Sequence, residues 1–248
     1  MRLRNMNFAN PKTHQITLTA VLAAVYFVLR SIPTFQMVGV SGRFNAGDFV
    51  ITGIILIGGL WSSSLSVIIG TILAYTINSP VFFGLDFLPA FANTLVVGLI
   101  LSNHRRLACG IYVSVLAVFL ASPYSLLIAY ANIPYAWLHI FALMVLLSPI
   151  VPKIPSWLES DGFLQLTAIA VLALIGTMGQ HLTGGLLYEL AVGFIGGVNP
   201  SSFKQSWRII FWVYPVERIL IITLSTTLAM ALFRSTRRLT LSFRGCST

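Results

Sequence analysis

The sequence is poor in charged residues, in acidic ones above all, and in cysteine. Only 8% of its 248 residues are charged and six are Asp or Glu, whereas a typical soluble domain is about 25% charged. The formal net charge is +9, but no soluble basic domain is present to carry a nucleic-acid site, so we expect no nucleic-acid partner. Cys109 and Cys246 stand far apart without the spacing of metal ligands, so we assign them no role and predict no metal site.

Motifs of catalysis and nucleotide binding are also missing. The zinc-protease pattern HExxH, the nucleophile pattern GxSxG and the P-loop do not occur, so ATP binding through a Walker motif is excluded. We therefore predict a non-enzymatic protein without a cofactor, in which any ATP-driven step depends on a partner.

Long apolar runs dominate what the sequence does contain. Hydrophobic residues make up 57% of the chain and the mean hydropathy is +0.89, which indicates an integral membrane protein. We predict an all-α fold, a polytopic transmembrane helix bundle in which residues 1–248 form a single integral membrane domain. About eight membrane segments are expected: Ile16–Leu29, Phe49–Trp61, Leu65–Ile77, Phe87–Leu101, Cys109–Ala131, Tyr135–Ile150, Phe163–Leu190 and Ile209–Phe233. The second and third, joined by Ser62–Ser64, form either a tight hairpin of short helices or one kinked span.

Basic residues predict the orientation. Eight crossings from a cytoplasmic N-terminus place most of them in the cytoplasm, as the positive-inside rule requires: Arg2, Arg4, Lys12, Arg105, Arg106, Lys153, Arg234, Arg237, Arg238 and Arg244. We therefore expect a multi-pass protein of the plasma membrane, surrounded by lipid, with both termini cytoplasmic. The basic N-terminus runs into the first apolar segment without a small-x-small cleavage site, so we interpret that segment as a retained span.

One polar face stands out inside the apolar run Phe163–Leu190. On a helix, steps of three, four, seven and eight from His181 reach Gly184, Gly185, Tyr188 and Glu189. A carboxylate at mid-membrane costs about 2.5–3.5 kcal/mol on insertion scales, so this face should turn away from lipid. It predicts a substrate cavity, or alternatively a polar contact between helices.

Four acidic residues are expected at the extracellular ends of their helices: Asp48, Asp86, Glu189 and Glu217. Helix dipoles favour a carboxylate in a first turn, which gives three of them a purely structural explanation. Taken together with aromatic residues such as Tyr188 and Trp212, they predict a cavity suited to a flat ring or an organic cation. Arg218 can pair with a carboxylate and reduce that acidic bias.

Small residues mark a possible contact face on the first helix. Ala20 and Ala24 form a small-x-x-x-small pair beside Ala23, and such spacing lets helices approach closely in lipid. Ordinary packing within the bundle is the commoner meaning of this pattern, and docking of a partner helix is the alternative.

Three stretches resemble one protein family. They are TAVLAAVYFVL at Thr19–Leu29, the glycine-rich Gly42–Tyr75 with a polar residue opening a short hairpin, and GQHLTGGLLYE with FWVYPVERI near the C-terminal end. In these the chain resembles the membrane-embedded substrate-binding subunit (S component) of an energy-coupling factor (ECF) transporter, the vitamin-uptake relatives of ABC importers. Two features depart from the family. Trp61-Ser62-Ser63 replaces its usual Gly-Pro turn, and a pair of segments, Cys109–Ala131 and Tyr135–Ile150, exceeds its usual six helices.

The resemblance implies a mechanism and a set of contacts. A vitamin-like molecule binds from outside under the loop Ser31–Gly47, and a transmembrane coupling subunit with two ATPase subunits drives its delivery inward. Ala20, Ala23 and Ala24 correspond to the docking face for the coupling subunit. His181, Glu189, Trp212 and Glu217 correspond to vitamin contacts, although Glu189 stands where the thiamine type has an aromatic residue.

The sequence thus predicts one set of substrate-binding residues and leaves two other functions open. The predicted set is Asp48, Asp86, His181, Gly184, Tyr188, Glu189, Trp212 and Glu217. One alternative is an intramembrane enzyme that acts on lipid or peptide with His181, Glu189 and Glu217. The other is a structural membrane protein whose polar residues only join helices.

Overall fold

The computed structural model describes residues 11–36 and 43–245, with side chains over 12–36 and 43–236. Its helices are α1 (Pro11–Ser31), α2 (Ile51–Ala74), α3 (Leu88–Leu101), α4 (Arg105–Ala121), α5 (Trp137–Leu147), α6 (Ile154–Glu159), α7 (Phe163–Tyr188), α8 (Pro200–Ile210) and α9 (Tyr214–Gly245). A π-helical segment, Glu189–Ile195, extends α7, and a short antiparallel pair, β1 (Pro33–Gln36) and β2 (Arg43–Asn45), follows α1. The predicted helical bundle is confirmed, with this small strand pair added to it.

Four of the described helices are long and apolar enough to cross a membrane. They are the segments Lys12–Ser31, Ile51–Ala74, Phe163–Ile195 and Tyr214–Thr236, and a fifth results if the pair Trp137–Leu147 and Val151–Glu159, bent by 57°, counts as one span. These helices support the predicted membrane-spanning class, whereas the predicted count of eight segments is not confirmed. The segment predicted over Cys109–Ala131 is too long: α4 ends at Ala121, because Pro123 restricts the residue before it to extended conformations.

Helix α2 is broken at Gly59, where φ is +66° and ψ is −171°. The Ser63 hydroxyl donates to the carbonyl of Ile54, nine residues earlier, at 3.0 Å, whereas a straight helix separates such residues by about 13.5 Å along its axis. The chain therefore doubles back as a helical hairpin. Its turn lies at Gly59, a conformation that glycine adopts without strain, and not at the predicted Ser62–Ser64.

Contacts between the helices show that their ends are aligned. Helices α7 and α9 run antiparallel, since Gln165 accepts a hydrogen bond from Arg234 at one end and His181 stacks on Tyr214 near the other. Helix α3 also runs antiparallel to α7, because a side chain at Gly176 would collide with Asn93 while Gly184 faces Pro89. We call the end that holds Asp48, Asp86 and Tyr188 the pocket end of the bundle.

Candidate functional site

A cavity of about 350 Å³ opens at the pocket end. Its walls come from α1, β2, the loop before α3, and the pocket-end turns of α3, α7, α8 and α9. They comprise Arg30, Arg43, Phe44, Asn45, Asp48, Val81, Phe82, Phe83, Asp86, Pro89, Ala90, Gln180, His181, Gly184, Gly185, Tyr188, Ala191, Val192, Trp207, Ile210, Glu217 and Arg218. Volume and lining match those of small-molecule sites, which are commonly 300–1,000 Å³ with apolar walls and a few polar groups.

The predicted face of α7 forms one wall of this cavity. His181, Gly184, Gly185 and Tyr188 all line it, as their spacing of three, four and seven residues on a helix requires. At Gly184 an added Cβ would meet only the Pro89 ring, at 3.8 Å. The absence of a side chain there therefore leaves open space that the cavity uses.

His181 is held by a second histidine. Its Nδ1 lies 3.1 Å from Nε2 of the buried His139, and the two rings stack with centroids 5.0 Å apart. The Tyr214 ring stacks on His181 as well, at 5.2 Å. Two rings, one from α5 and one from α9, therefore fix the orientation of the His181 imidazole at the cavity wall.

Asp48 connects three parts of the fold. Its Oδ2 accepts from the Asn45 backbone N–H at 3.1 Å, and its Oδ1 accepts from Gln180 Nε2 at 2.7 Å. The Gln180 carbonyl oxygen in turn accepts from Asn93 Nδ2 at 2.9 Å. This chain of hydrogen bonds connects the turn before α2 to α7 and α3. Both oxygens of the Asp48 carboxylate accept a hydrogen bond within it.

Asp86 organises the loop in front of α3. Its two carboxylate oxygens accept from the backbone N–H groups of Val81 and Phe82, at 2.9 and 3.0 Å. Arg30 donates to the Asp86 backbone carbonyl at 3.2 Å. The Asp86 carboxylate therefore stabilises the loop, and the loop holds Phe82 and the neighbouring Phe83 at the cavity wall.

Tyr75 also supports this loop, from the end of α2. Its hydroxyl donates to the Gly84 carbonyl at 2.9 Å. Burial, and then the charge of the Asp86 carboxylate, raise the pKa of Tyr75 above its usual range. The hydroxyl therefore keeps its proton as a donor under ordinary conditions.

Three arginine side chains line the wall although none was among the predicted substrate contacts; the sequence had suggested Arg218 only as a partner for a carboxylate. Arg218 is only 6% exposed, its guanidinium lies 4.7 Å above the Phe44 ring, and its nearest described carboxylate is Glu217, at 3.9 Å. Arg30 and Arg43 join it around the cavity. Their positions, at the end of α1 and in β2, gave no signal in the sequence, because only the folding of β2 onto α1 brings them together.

Two predicted contacts lie outside the cavity wall. Glu189 is buried against Ser125, whose hydroxyl lies 2.8 Å from Oε1. At 100° per residue its side chain points about 80° away from His181, which turns it towards the loop after α4. Trp212 is 63% exposed and stacks on Tyr130. Six of the eight predicted residues therefore line the cavity, namely Asp48, Asp86, His181, Gly184, Tyr188 and Glu217, and substrate contact by any of the eight stays a prediction.

The three alanines of α1 fall on two different faces. Ala23 is buried, with its carbonyl against Gly70 of α2. Ala20 and Ala24 are exposed. Ala23 therefore serves packing inside the chain, whereas the other two lie on a surface open to lipid or to a partner.

Comparison with models of protein families, with curated proteins and with solved structures finds no match to this chain. Any assignment of function therefore depends on the cavity and its surroundings.

Proposed function

We propose that this chain is the solute-binding membrane subunit of an importer of the ECF type, and that it captures a vitamin-sized molecule at its pocket end. The observation that carries the proposal is the cavity itself, about 350 Å³ in volume and bounded by aromatic rings and polar groups. A cavity of this kind is the default candidate for a ligand site.

The construction of the cavity supports binding in preference to catalysis. Of the three residues assigned to an intramembrane enzyme, His181 and Glu217 line the cavity, and Glu189 is hydrogen-bonded to Ser125 outside it. Direct acid–base catalysis requires its groups within hydrogen-bond reach of one reacting centre. The separation of Glu189 leaves that mechanism without its third member.

The wall is also pre-formed, as a binding protein requires. His181 is fixed by His139 and Tyr214, and the Asp48–Gln180 pair fixes the turn that carries β2. A site whose side chains are already positioned loses less conformational entropy when a ligand binds. Residues 37–42 of the loop Ser31–Gly47, the predicted cover, lie outside the described residues.

Transport in this proposal depends on partners. The sequence has no P-loop, so energy comes from two ATPase subunits through a transmembrane coupling subunit. The exposed pair Ala20 and Ala24 on α1 is the proposed docking face, because small residues permit close helix contact. The proposed topology has eight crossings, in which the α2 hairpin counts as two and the shorter helices α3 and α4 are added to the candidate spans. With eight crossings, the positive-inside rule favours an extracellular pocket end and cytoplasmic termini in a plasma-membrane protein.

The experiment that tests the proposal fills the cavity. Gly184→Phe places a ring into the open space, since a Cβ there meets only Pro89 at 3.8 Å. Gly110→Phe is the matched control, because Gly110 on α4 has no atom within 4 Å of an added Cβ and lies outside the cavity wall. Each protein is purified from its own membranes in mild detergent and weighed by native mass spectrometry.

We expect a small molecule to remain bound to the wild type and to Gly110→Phe, and to be absent from Gly184→Phe. We also expect a coupling subunit and ATPases to co-purify with the wild type. The proposal fails if Gly184→Phe retains the same small molecule at the same occupancy. It also fails if the wild type carries no solute and turns over lipid or peptide without an ATPase partner.

A further inference from the structure

Two of the three acidic residues of the cavity, Asp48 and Asp86, already accept hydrogen bonds from the protein's own donors, and the third, Glu217, lies beside Arg218. All four carboxylate oxygens of Asp48 and Asp86 accept hydrogen bonds from the chain, three from backbone N–H groups and one from Gln180. A ligand ammonium would have to compete with these bonds. The acidic residues suggested a cationic ligand from the sequence. The oxygens of Asp48 and Asp86 are, however, not available to a ligand as unpaired acceptors.

The guanidinium of Arg218 has the opposite character. It lies at the cavity wall and is buried, and its Nε has no hydrogen-bond partner in the described part of the chain. Its distance of 3.9 Å to Glu217 is longer than the 2.7–2.9 Å of a charge-assisted hydrogen bond. A buried donor of this kind is costly unless something supplies an acceptor.

Arg30 and Arg43 extend the same positive surface. Arg30 donates to a backbone carbonyl, that of Asp86, and Arg43 is exposed at the mouth of the cavity. The planar guanidinium fork matches the geometry of carboxylates and phosphates. The same cavity is also lined by the aromatic residues Phe82, Tyr188 and Trp207.

We propose that the cavity binds an organic anion, with its carboxylate or phosphate on Arg218 and its ring or apolar body against the aromatic wall. This inference rests on the proposed solute-binding function and names its substrate class. The same anionic chemistry is available from a free solute and from a lipid headgroup, and the test below separates the two sources.

The test uses three probes of one shape and different charge. They are 3-phenylpropionate, 3-phenylpropanol and 3-phenylpropylamine, titrated by calorimetry against the full-length protein in nanodiscs of zwitterionic phosphatidylcholine. We expect the carboxylate to bind roughly tenfold or more tightly than the alcohol, and the amine most weakly, because charge-assisted hydrogen bonds are about twice as strong as neutral ones.

Variants then locate the anion. We expect Arg218→Gln to reduce the affinity for 3-phenylpropionate roughly tenfold and to leave that for the alcohol unchanged. Arg208→Gln is the matched control, since this exposed arginine of α8 lies at the same end of the bundle but outside the cavity wall. If Arg218→Gln does not fold, two milder variants replace it in the test. Arg218→Lys keeps the charge but loses the planar fork, and Arg43→Gln removes a charge at the exposed mouth. Both should reduce the affinity for 3-phenylpropionate by a smaller factor.

The outcomes separate this inference from the proposed function. Tighter binding of the alcohol or amine, lost in Gly184→Phe, overturns the anion and leaves solute binding intact. Binding of none of the probes, together with a Gly184→Phe protein that retains its native small molecule, overturns both. If phosphatidylglycerol in the nanodiscs competes with 3-phenylpropionate in the wild type but not in Arg218→Gln, the anion chemistry is supported and its source is a lipid headgroup rather than a free solute.

Discussion

Replacement of Gly70 by alanine should loosen the contact between α1 and the second arm of α2. A Cβ at this position would lie 2.8 Å from the Ala23 carbonyl oxygen, 2.9 Å from Tyr26 Cδ1 and 3.0 Å from the Phe27 backbone nitrogen. Two of these three atoms belong to the α1 backbone, so no side-chain rotation relieves the collision. The helices must separate instead.

The structure gives the size of the effect. Ordinary van der Waals contact begins at 3.4 Å, so α1 has to move by about 0.6 Å, and a gap of that size removes about a quarter or more of the dispersion energy of the surrounding contacts. Overpacking of this kind typically costs about 1–3 kcal/mol. The gain in helix propensity from glycine to alanine, up to about 1 kcal/mol, acts in the opposite direction.

Gly110→Ala isolates the packing effect. Gly110 is also helical, but an added Cβ there meets no atom within 4 Å, so this variant receives the propensity gain alone. Unfolding in mixed micelles with a rising fraction of SDS, followed by circular dichroism, gives both free energies. We expect Gly70→Ala to be less stable than Gly110→Ala by about 1–3 kcal/mol. Equal stabilities would show that α1 and α2 are not packed as closely as described.

Two further predictions concern the loop before α3 and the docking face. Asp86→Ala removes both acceptors of the Val81 and Phe82 N–H groups and should destabilise the protein by about 2–5 kcal/mol. The stability of Asp86→Asn should lie between those of the wild type and Asp86→Ala. Faster proteolysis of residues 76–87 in Asp86→Ala is the expected result, and an unchanged rate contradicts the prediction. Ala24→Leu, at an exposed position, should abolish co-purification of the coupling and ATPase subunits at normal stability. Ala23→Leu should lower stability itself, and the docking assignment is wrong if Ala24→Leu leaves the complex intact.

Much of the fold followed from the apolar runs alone. Ile16–Leu29 lies within α1, and Phe163–Leu190 corresponds to α7 and the start of its π-helical extension. The hairpin of α2 remained one of two alternatives, because a tight hairpin and one kinked span have the same apolar pattern when tertiary contacts are unknown. The β1–β2 pair was missed, since strands of four and three residues are too short for a periodic signal.

The site was predictable only where one helix determines it. His181, Gly184 and Tyr188 share a helical face, and that face lines the cavity. Spacing alone does not decide what Glu189 contacts, because a side chain rotated by about 80° from His181 around the helix axis can face the cavity or a neighbouring segment. Gln180 and Arg30 meet the cavity through contacts between elements far apart in the chain, as the separation of 132 residues between Gln180 and Asp48 illustrates.

The charge of the ligand is the clearest case in which a count of residues misleads. Three arginines and three acids line the cavity, so formal charge alone favours neither a cation nor an anion. The hydrogen bonds break this tie, because the oxygens of Asp48 and Asp86 are used by the fold whereas Arg218 keeps a buried N–H without an acceptor. A group whose bonds are satisfied in the empty protein gains little from a ligand, and an unsatisfied one gains most. Within the described part of the wall, the buried atoms without a hydrogen-bond partner belong to Arg218, Trp207 and Asn45, and of these only Arg218 is charged, which points to an anion.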